Sequence, residues 1–233
     1  MADICFTQMK GEPHMDSAQK ASVTSRIRNS KGFTLIEMAI VLVIIGIIIG
    51  AVVKGQDLVD NAKSKQFASK LQAWQVALNT YYDRTGRYPG DVNKDGVIAS
   101  SSDTLTPLDD INSASFTSAP ETSFTLGGAS FAVKLGNDGQ TPPSNYLVVC
   151  KDDTCSSKYD PTNSNDLSAL KYFEAYDTAI DGSADPTTGN VKGYATVGGA
   201  VAGAKYTSLT TPATTASWLD AANNISALAY KIK

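Results

Sequence analysis

Hydrophobic positions along the chain fall into three regimes. Residues 33–53 read FTLIEMAIVLVIIGIIIGAVV, 21 residues with a single charge, Glu37. As a helix at ~1.5 Å per residue this run spans about 31 Å, the thickness of a bilayer core. Beyond it the apolar residues become periodic. Phe67, Leu71, Trp74, Leu78 and Tyr81 recur at steps of four and three, among Lys65, Gln66, Lys70, Gln72, Gln75 and Asn79. That period predicts one helix continuing from the apolar run to about Tyr82, with the stripe packed on a core. Gly86 and Pro89-Gly90 stop it. From Pro89 onward turn signals are dense and apolar stretches short. Residues 131–135, 146–150, 193–197 and 227–232 read as strands, the last through the alternation of Leu228, Tyr230 and Ile232 with Ala229 and Lys231. A second helix is predicted over residues 167–180, capped by Asp166, with Leu167, Leu170, Phe173, Tyr176 and Ile180 on one face. The Ser/Thr-rich stretch 207–217 reads as an exposed loop.

Composition narrows the function. Net charge is −3 without a basic excess, so no nucleic-acid surface is indicated. One histidine, His14, weighs against Ser–His–Asp hydrolysis and His-built zinc sites. A plain transmembrane anchor or a secretory signal would account for the apolar run but not for Glu37. A carboxylate in such a span costs ~2.5–3.5 kcal/mol at the centre and less near the edge, and marks a functional position by default. Arg26, Arg28 and Lys31 stand just before the run and only Lys54 just after it. That bias puts the N-terminus in the cytoplasm and the C-terminal part outside.

Lys31-Gly32-Phe33-Thr34-Leu35-Ile36-Glu37, opening an apolar helix, resembles the processing signature of type IV prepilins and type II secretion pseudopilins. The resemblance covers residues 31–53 directly and extends along the helix to about Tyr82. It implies an α+β, type IV pilin-like fold, with a long N-terminal helix packed on a small antiparallel sheet. It implies that prepilin peptidase cuts between Gly32 and Phe33 and methylates the Phe33 amine. In this family the glutamate at the position of Glu37 meets the amine of a neighbouring subunit, so the implied partners are further copies in a helical filament, the peptidase, the membrane before assembly, and an assembly platform. The implied location is the bacterial inner membrane, single-pass, and then an extracellular filament. The expected organisation is a leader (1–32), a membrane and filament-core helix (33–53), an amphipathic continuation (54–88) and a β-rich domain (89–233). Two features depart from the family: the leader is long, with Met9 and Met15 as alternative starts, and no proline stands some twenty residues into the mature helix. Gly46, Gly50 and Gly55 would loosen the helix instead. The reading is a pilus-like structural subunit and not an enzyme; the alternatives are a pseudopilin of a secretion or DNA-uptake machine, and a membrane-anchored binding domain or enzyme.

Without residues 1–32 the chain has no histidine, two cysteines, and 15 basic against 20 acidic residues, 17 of them Asp. Cys150 and Cys155, a Cys-x4-Cys pair at a strand end, suit a disulfide closing a small loop outside the cytoplasm. Asp91-Val92-Asn93-Lys94-Asp95-Gly96 matches the opening of a calcium loop, with Asp91, Asn93 and Asp95 as oxygen donors and Ser102 in place of the usual closing Glu. An Asn/Asp/Gly turn without metal fits the same residues. Asp177, Asp181 and Asp185 lie in a stretch resembling a calcium-binding segment of some pilins and pseudopilins; the alternative is a helix end followed by a turn.

Overall fold

The computed structural model describes residues 32–199 and 205–232. The expected leader, apart from Gly32, lies outside the described residues. Two compact units divide the chain, residues 1–49 and 50–233.

Helix α1 runs from Leu35 to Thr85, 51 residues, three past the predicted end. Its first turn is closed by Thr34 and Glu37, described below. At the far end Gly86 takes a left-handed conformation (φ 72°) and returns its N–H to the Tyr82 carbonyl at 2.8 Å, which terminates the helix. In the first unit every described residue is exposed, with Leu35 at 93% and Ile47 at 68%. Among the described residues α1 is the one helix long and apolar enough to cross a membrane, and none of its most apolar window is buried.

In the second unit the predicted stripe of α1 is the buried one: Phe67, Leu71, Trp74, Leu78 and Tyr81, joined by Ala77. Each large apolar side chain buried this way contributes roughly 1.5–3 kcal/mol. The helix is followed by α2 (Pro107–Ser113), β1 (Ser123–Leu126), β2 (Ala129–Asn137), β3 (Asn145–Cys150), α3 (Ser164–Asp181), β4 (Val191–Gly198), β5 (Lys205–Tyr206), β6 (Ser208–Pro212), a short 3-10 turn (Ala221–Asn223) and β7 (Ala227–Lys231). The sheet order is β1-β2-β3-β7-β4-β6, antiparallel throughout. Strand alternation sorts its side chains onto two faces. Phe131, Val133, Leu135, Leu147, Val149 and Leu228 join α1 and α3 in one core. Tyr146, Val148, Cys150, Ala227 and Ala229 join Tyr194, Val197, Tyr206 and Leu209 in a second.

That second core exists because the sheet turns back on itself. β5 pairs in parallel with the end of β2, Leu135 opposite Lys205 and Gly136 opposite Tyr206, and β6 continues directly to pair with β4. Gly136 permits this closure: a Cβ there would collide with the Tyr206 carbonyl oxygen.

Three sequence expectations are corrected. Residues 208–212, expected in a loop, form β6. The segment has one inward apolar residue, Leu209, so its strand character comes from its ladder with β4 rather than from periodicity. The cap of α3 is Asn163, whose side chain accepts from the N–H groups of Asn165 and Asp166. Asp166 instead sits inside the first turn, buried, accepting from Lys151 Nζ at 2.7 Å and the Asp160 N–H at 3.1 Å. Ile180, expected on the buried face of α3, is 39% exposed; Tyr172 and Asp177 are buried on that helix instead.

Candidate assembly site and acidic loops

Gly32, Phe33 and Thr34 precede α1 in non-helical conformation, and the Phe33 side chain is exposed. The first turn then closes as a reciprocal capping box. The Thr34 N–H and hydroxyl both donate to Glu37 Oε2 at 2.8 Å, and the Glu37 N–H returns to Thr34 Oγ1 at 3.3 Å. The spacing Thr-x-x-Glu before an apolar run is a helix-start signal, and it identifies Thr34 as the partner that the family resemblance left out.

At the other end of α1, Arg87 staples the chain to α2. Its guanidinium forms a two-pronged pair with Asp110, through Nη1 to Oδ2 and through Nη2 to Oδ1 at 2.8 Å, and Nη1 also reaches the Tyr88 and Asp91 carbonyls. Burial would raise the Asp110 pKa, but Arg87 and the Gly90 N–H hold it below the ordinary carboxylate range. Neither residue carries a sequence signal for this pairing, because they lie 23 positions apart on different elements.

The loop beyond Arg87 gathers Asp91, Asn93 and Asp95 with a residue not anticipated, Asp103. Asp91 accepts from the Asp95 and Gly96 N–H groups at 3.1 and 3.0 Å. Asp95 Oδ1 accepts from the Val97 N–H at 2.8 Å. Asp103 ties the loop across its mouth, accepting from Val92 and Ser100 N–H groups, each at 2.8 Å. The Asn93 amide nitrogen donates to Asp95 Oδ2 at 2.7 Å and Ser102 Oγ at 2.9 Å, with Ser100 Oγ at 3.5 Å, so several loop oxygens converge on one donor. Burial lifts the Asp91 pKa above its ordinary value, and the nearby carboxylates of Asp95 and Asp103 add to the rise.

Asp177, Asp181 and Asp185 do not converge in the same way. Asp181 accepts from Asn190 and Val191 N–H groups at 2.7 and 2.8 Å, tying the start of β4 to the end of α3. Asp185 holds a tight turn through the Thr187 N–H and hydroxyl. Asp177 is fully buried, its Oδ2 accepting from Trp218 Nε1 at 2.8 Å while Oδ1 has no partner. Burial, helped by the charges of Asp181 and Asp185, pushes its pKa up to about 6. Among the described residues, no three His, Cys, Asp or Glu side chains form a group arranged to hold a metal ion. A cation would therefore fit best in the first loop, leaning on Asn93, hydroxyls and backbone oxygens besides its carboxylates. The Asp177 cluster lacks such a set.

Cys150 and Cys155 form the disulfide expected from their spacing, with Cα atoms 5.1 Å apart and both residues buried. The loop it closes is organised by Asp152, which accepts from Thr154, Ser156 and Ser157.

Comparison with known proteins bears on the N-terminus. No curated protein and no solved structure matches the chain. Residues 27–53 match the family model described as the prokaryotic N-terminal methylation motif. The chain therefore carries the N-terminal signature of the type IV pilins and pseudopilins.

Proposed function

We propose that this protein is a structural subunit of a type IV pilus-like surface filament. It is cut by prepilin peptidase after Gly32, methylated on the Phe33 amine, and assembled with further copies on a membrane platform through α1. The observation that carries the reading is the methylation motif at residues 27–53 leading into an apolar helix whose first part is wholly exposed. Such a surface needs lipid or other copies to cover it. Glu37 is the assembly residue. Two opposite charges ~4 Å apart attract by about 4 kcal/mol at an effective dielectric near 20. In lipid a neighbour's amine is its natural counter-charge, so docking sets the axial register. The domain beyond the membrane lies outside the cytoplasm, consistent with its disulfide. Calcium belongs to the proposal at the Asp91 loop, where a cation would relieve the like charges of Asp91, Asp95 and Asp103.

The test has two parts. Intact-mass measurement of membrane protein should find a chain beginning at methylated Phe33, and Gly32→Leu should block the cut. Glu37→Gln should insert and be processed normally yet fail to enter filaments. A chain retaining residues 1–32 in the presence of the peptidase would overturn the processing claim. Wild-type assembly of Glu37→Gln would overturn the pairing. Filaments lost from a strain lacking this chain would mark a pilus subunit; intact filaments with impaired secretion or DNA uptake would mark the pseudopilin alternative.

A further inference from the structure

We infer that Tyr82 and Tyr88 form an oxidative cross-linking site, where one-electron oxidation of both phenols joins the two rings as dityrosine. Neither residue has a part in the filament reading above. Of the ten tyrosines seven are buried; Tyr82 is 45% exposed, and Tyr88 and Tyr230 are half-buried. An oxidant in solution therefore meets these three first. The rings of Tyr82 and Tyr88 have their centroids 4.8 Å apart and their planes inclined by 39°. Tyr230 is paired instead with buried Tyr176, at 6.2 Å and 74°. In a biaryl the ring centres stand two ring radii and one bond apart, slightly less than the Tyr82–Tyr88 separation, and the rings prefer a twist between coplanar and perpendicular. Tyr82 and Tyr88 meet both conditions, whereas Tyr176 and Tyr230 lie too far apart and too nearly perpendicular. Ring pairs at such distances are ordinary packing; here both partners are phenols within reach of solvent. The backbone fixes the encounter. Tyr82 stands in the last turn of α1, and its carbonyl accepts from the N–H of left-handed Gly86 at 2.8 Å, so the chain reverses there and brings Tyr88 back beside it. The Tyr88 carbonyl is held in turn by Arg87 Nη1 at 3.3 Å and the Asp91 N–H at 3.2 Å.

Each phenol gives one electron and one proton to the oxidant, and the two tyrosyl radicals combine through the ring carbons next to their oxygens. The hydrogen on each joined carbon then moves to its own ring's oxygen, which restores both aromatic rings. Two hydrogen atoms are lost in all. Hydrogen peroxide, turned over by a haem peroxidase, takes up the two electrons and two protons and leaves as two waters. The new carbon–carbon bond closes a ring over residues 83–87 and fastens the chain beyond Gly86 to the last turn of α1, beside the Arg87–Asp110 pair. The Cys150–Cys155 disulfide in the same domain is consistent with the oxidising surroundings in which such an oxidant is met.

The experiment treats the full chain in detergent with a haem peroxidase and limiting hydrogen peroxide. The monomer should gain the blue fluorescence of dityrosine, and its mass should fall by two hydrogen atoms, which is distinct from the oxygen gained when exposed Met38 becomes its sulfoxide. Trypsin should then release residues 71–84 and 88–94 as one joined peptide. Tyr82→Phe and Tyr88→Phe keep the ring packing and remove one phenol, so each should abolish the link. Tyr81→Phe, at the buried neighbour, should leave it. Dilution should not change the yield, because both rings belong to one chain. Urea should lower it sharply, because the folded helix end holds the rings together. Absence of the link in the monomer while free tyrosine couples in the same mixture would overturn the inference. So would a link that survives either Tyr82→Phe or Tyr88→Phe, cross-links confined to dimers, or an equal yield from the unfolded chain.

Discussion

Asp177→Asn should make the protein more stable at neutral pH, against the usual direction for a buried substitution. Asp177 is fully buried, one oxygen bonded to Trp218, and the charges that bear on it among the described residues are those of Asp181 and Asp185, opposed in part by the Asp185 N–H. Folding moves its pKa from 3.8 up to about 6. The folded state therefore holds this proton more tightly than the unfolded state. The resulting stabilisation is complete below pH ~4 and disappears as pH rises through about 6. At ~1.4 kcal/mol per pKa unit, a shift of about two units means that the ionised form costs the fold on the order of 3 kcal/mol at pH 7. Asparagine removes the charge, keeps a carbonyl oxygen for the Trp218 N–H, and adds an amide nitrogen needing its own acceptor, so the net gain should be about 1–3 kcal/mol. At roughly 2–4 °C per kcal/mol for a chain of this size, the melting temperature rises by several degrees. The assay is calorimetry of the full chain in detergent with chelator, at pH 7 and pH 4. The gain should shrink at pH 4, where the wild-type carboxyl is protonated. A variant less stable than wild type at pH 7, or a gain independent of pH, would refute the argument.

Two further outcomes follow from the same geometry. Arg87→Ala leaves Asp110 buried with only uncharged partners, the Gly90 N–H and the Tyr81 side chain, and should destabilise the protein by about 3–5 kcal/mol, read as a lowered midpoint in urea; a loss below ~1 kcal/mol would show that the pair is not structural. Millimolar calcium should raise the melting temperature relative to chelator; Asp95→Ala should abolish the response and Asp181→Ala should leave it, whereas identical wild-type melts in both conditions would mean that the Asp91 loop is a plain turn.

The parts of this structure legible in the sequence are those whose cause is local. The α1 stripe repeats every three or four residues because a helix repeats every 3.6, and Phe67, Leu71, Trp74, Leu78 and Tyr81 are all buried as that period requires. Strands β2, β3, β4 and β7 announce themselves by clustered or alternating apolar residues, and the disulfide by short spacing. What escaped depends on partners distant in sequence. β6 is a strand because β4 lies beside it, and β5 exists because Gly136 lets Tyr206 approach β2. Asn163 rather than Asp166 caps α3, and the Asp166 carboxylate inside the first turn pairs with Lys151, on the segment after β3. In the acidic loops composition named the right residue types but not their employment. In the sequence Asp181 and Asp185 fit a helix end followed by a turn as well as a ligand set; the structure adds the N–H donors that each accepts from.

The distribution of exposed apolar surface sets the helix apart from the sheet. An exposed strand edge is a template for another chain. Here β5 closes one such edge by pairing with β2 beyond β1, and β6 joins it to β4, so the antiparallel sheet largely completes its own ladder. The outer strands of that order, β1 and β6, are only four and five residues long. The apolar residues left exposed are concentrated instead on α1: from Leu35 to Val59 the exposed large hydrophobics number more than a dozen, against scattered single positions such as Val92, Leu105 and Ile180 in the domain. Scattered positions are ordinary for a soluble surface, while a continuous apolar helix is not. The only charge on its first 18 residues is Glu37, itself held by Thr34. In the filament subunit proposed above, a domain that buries its apolar residues and a helix that leaves its own exposed would divide packing and adhesion between different stretches of one chain.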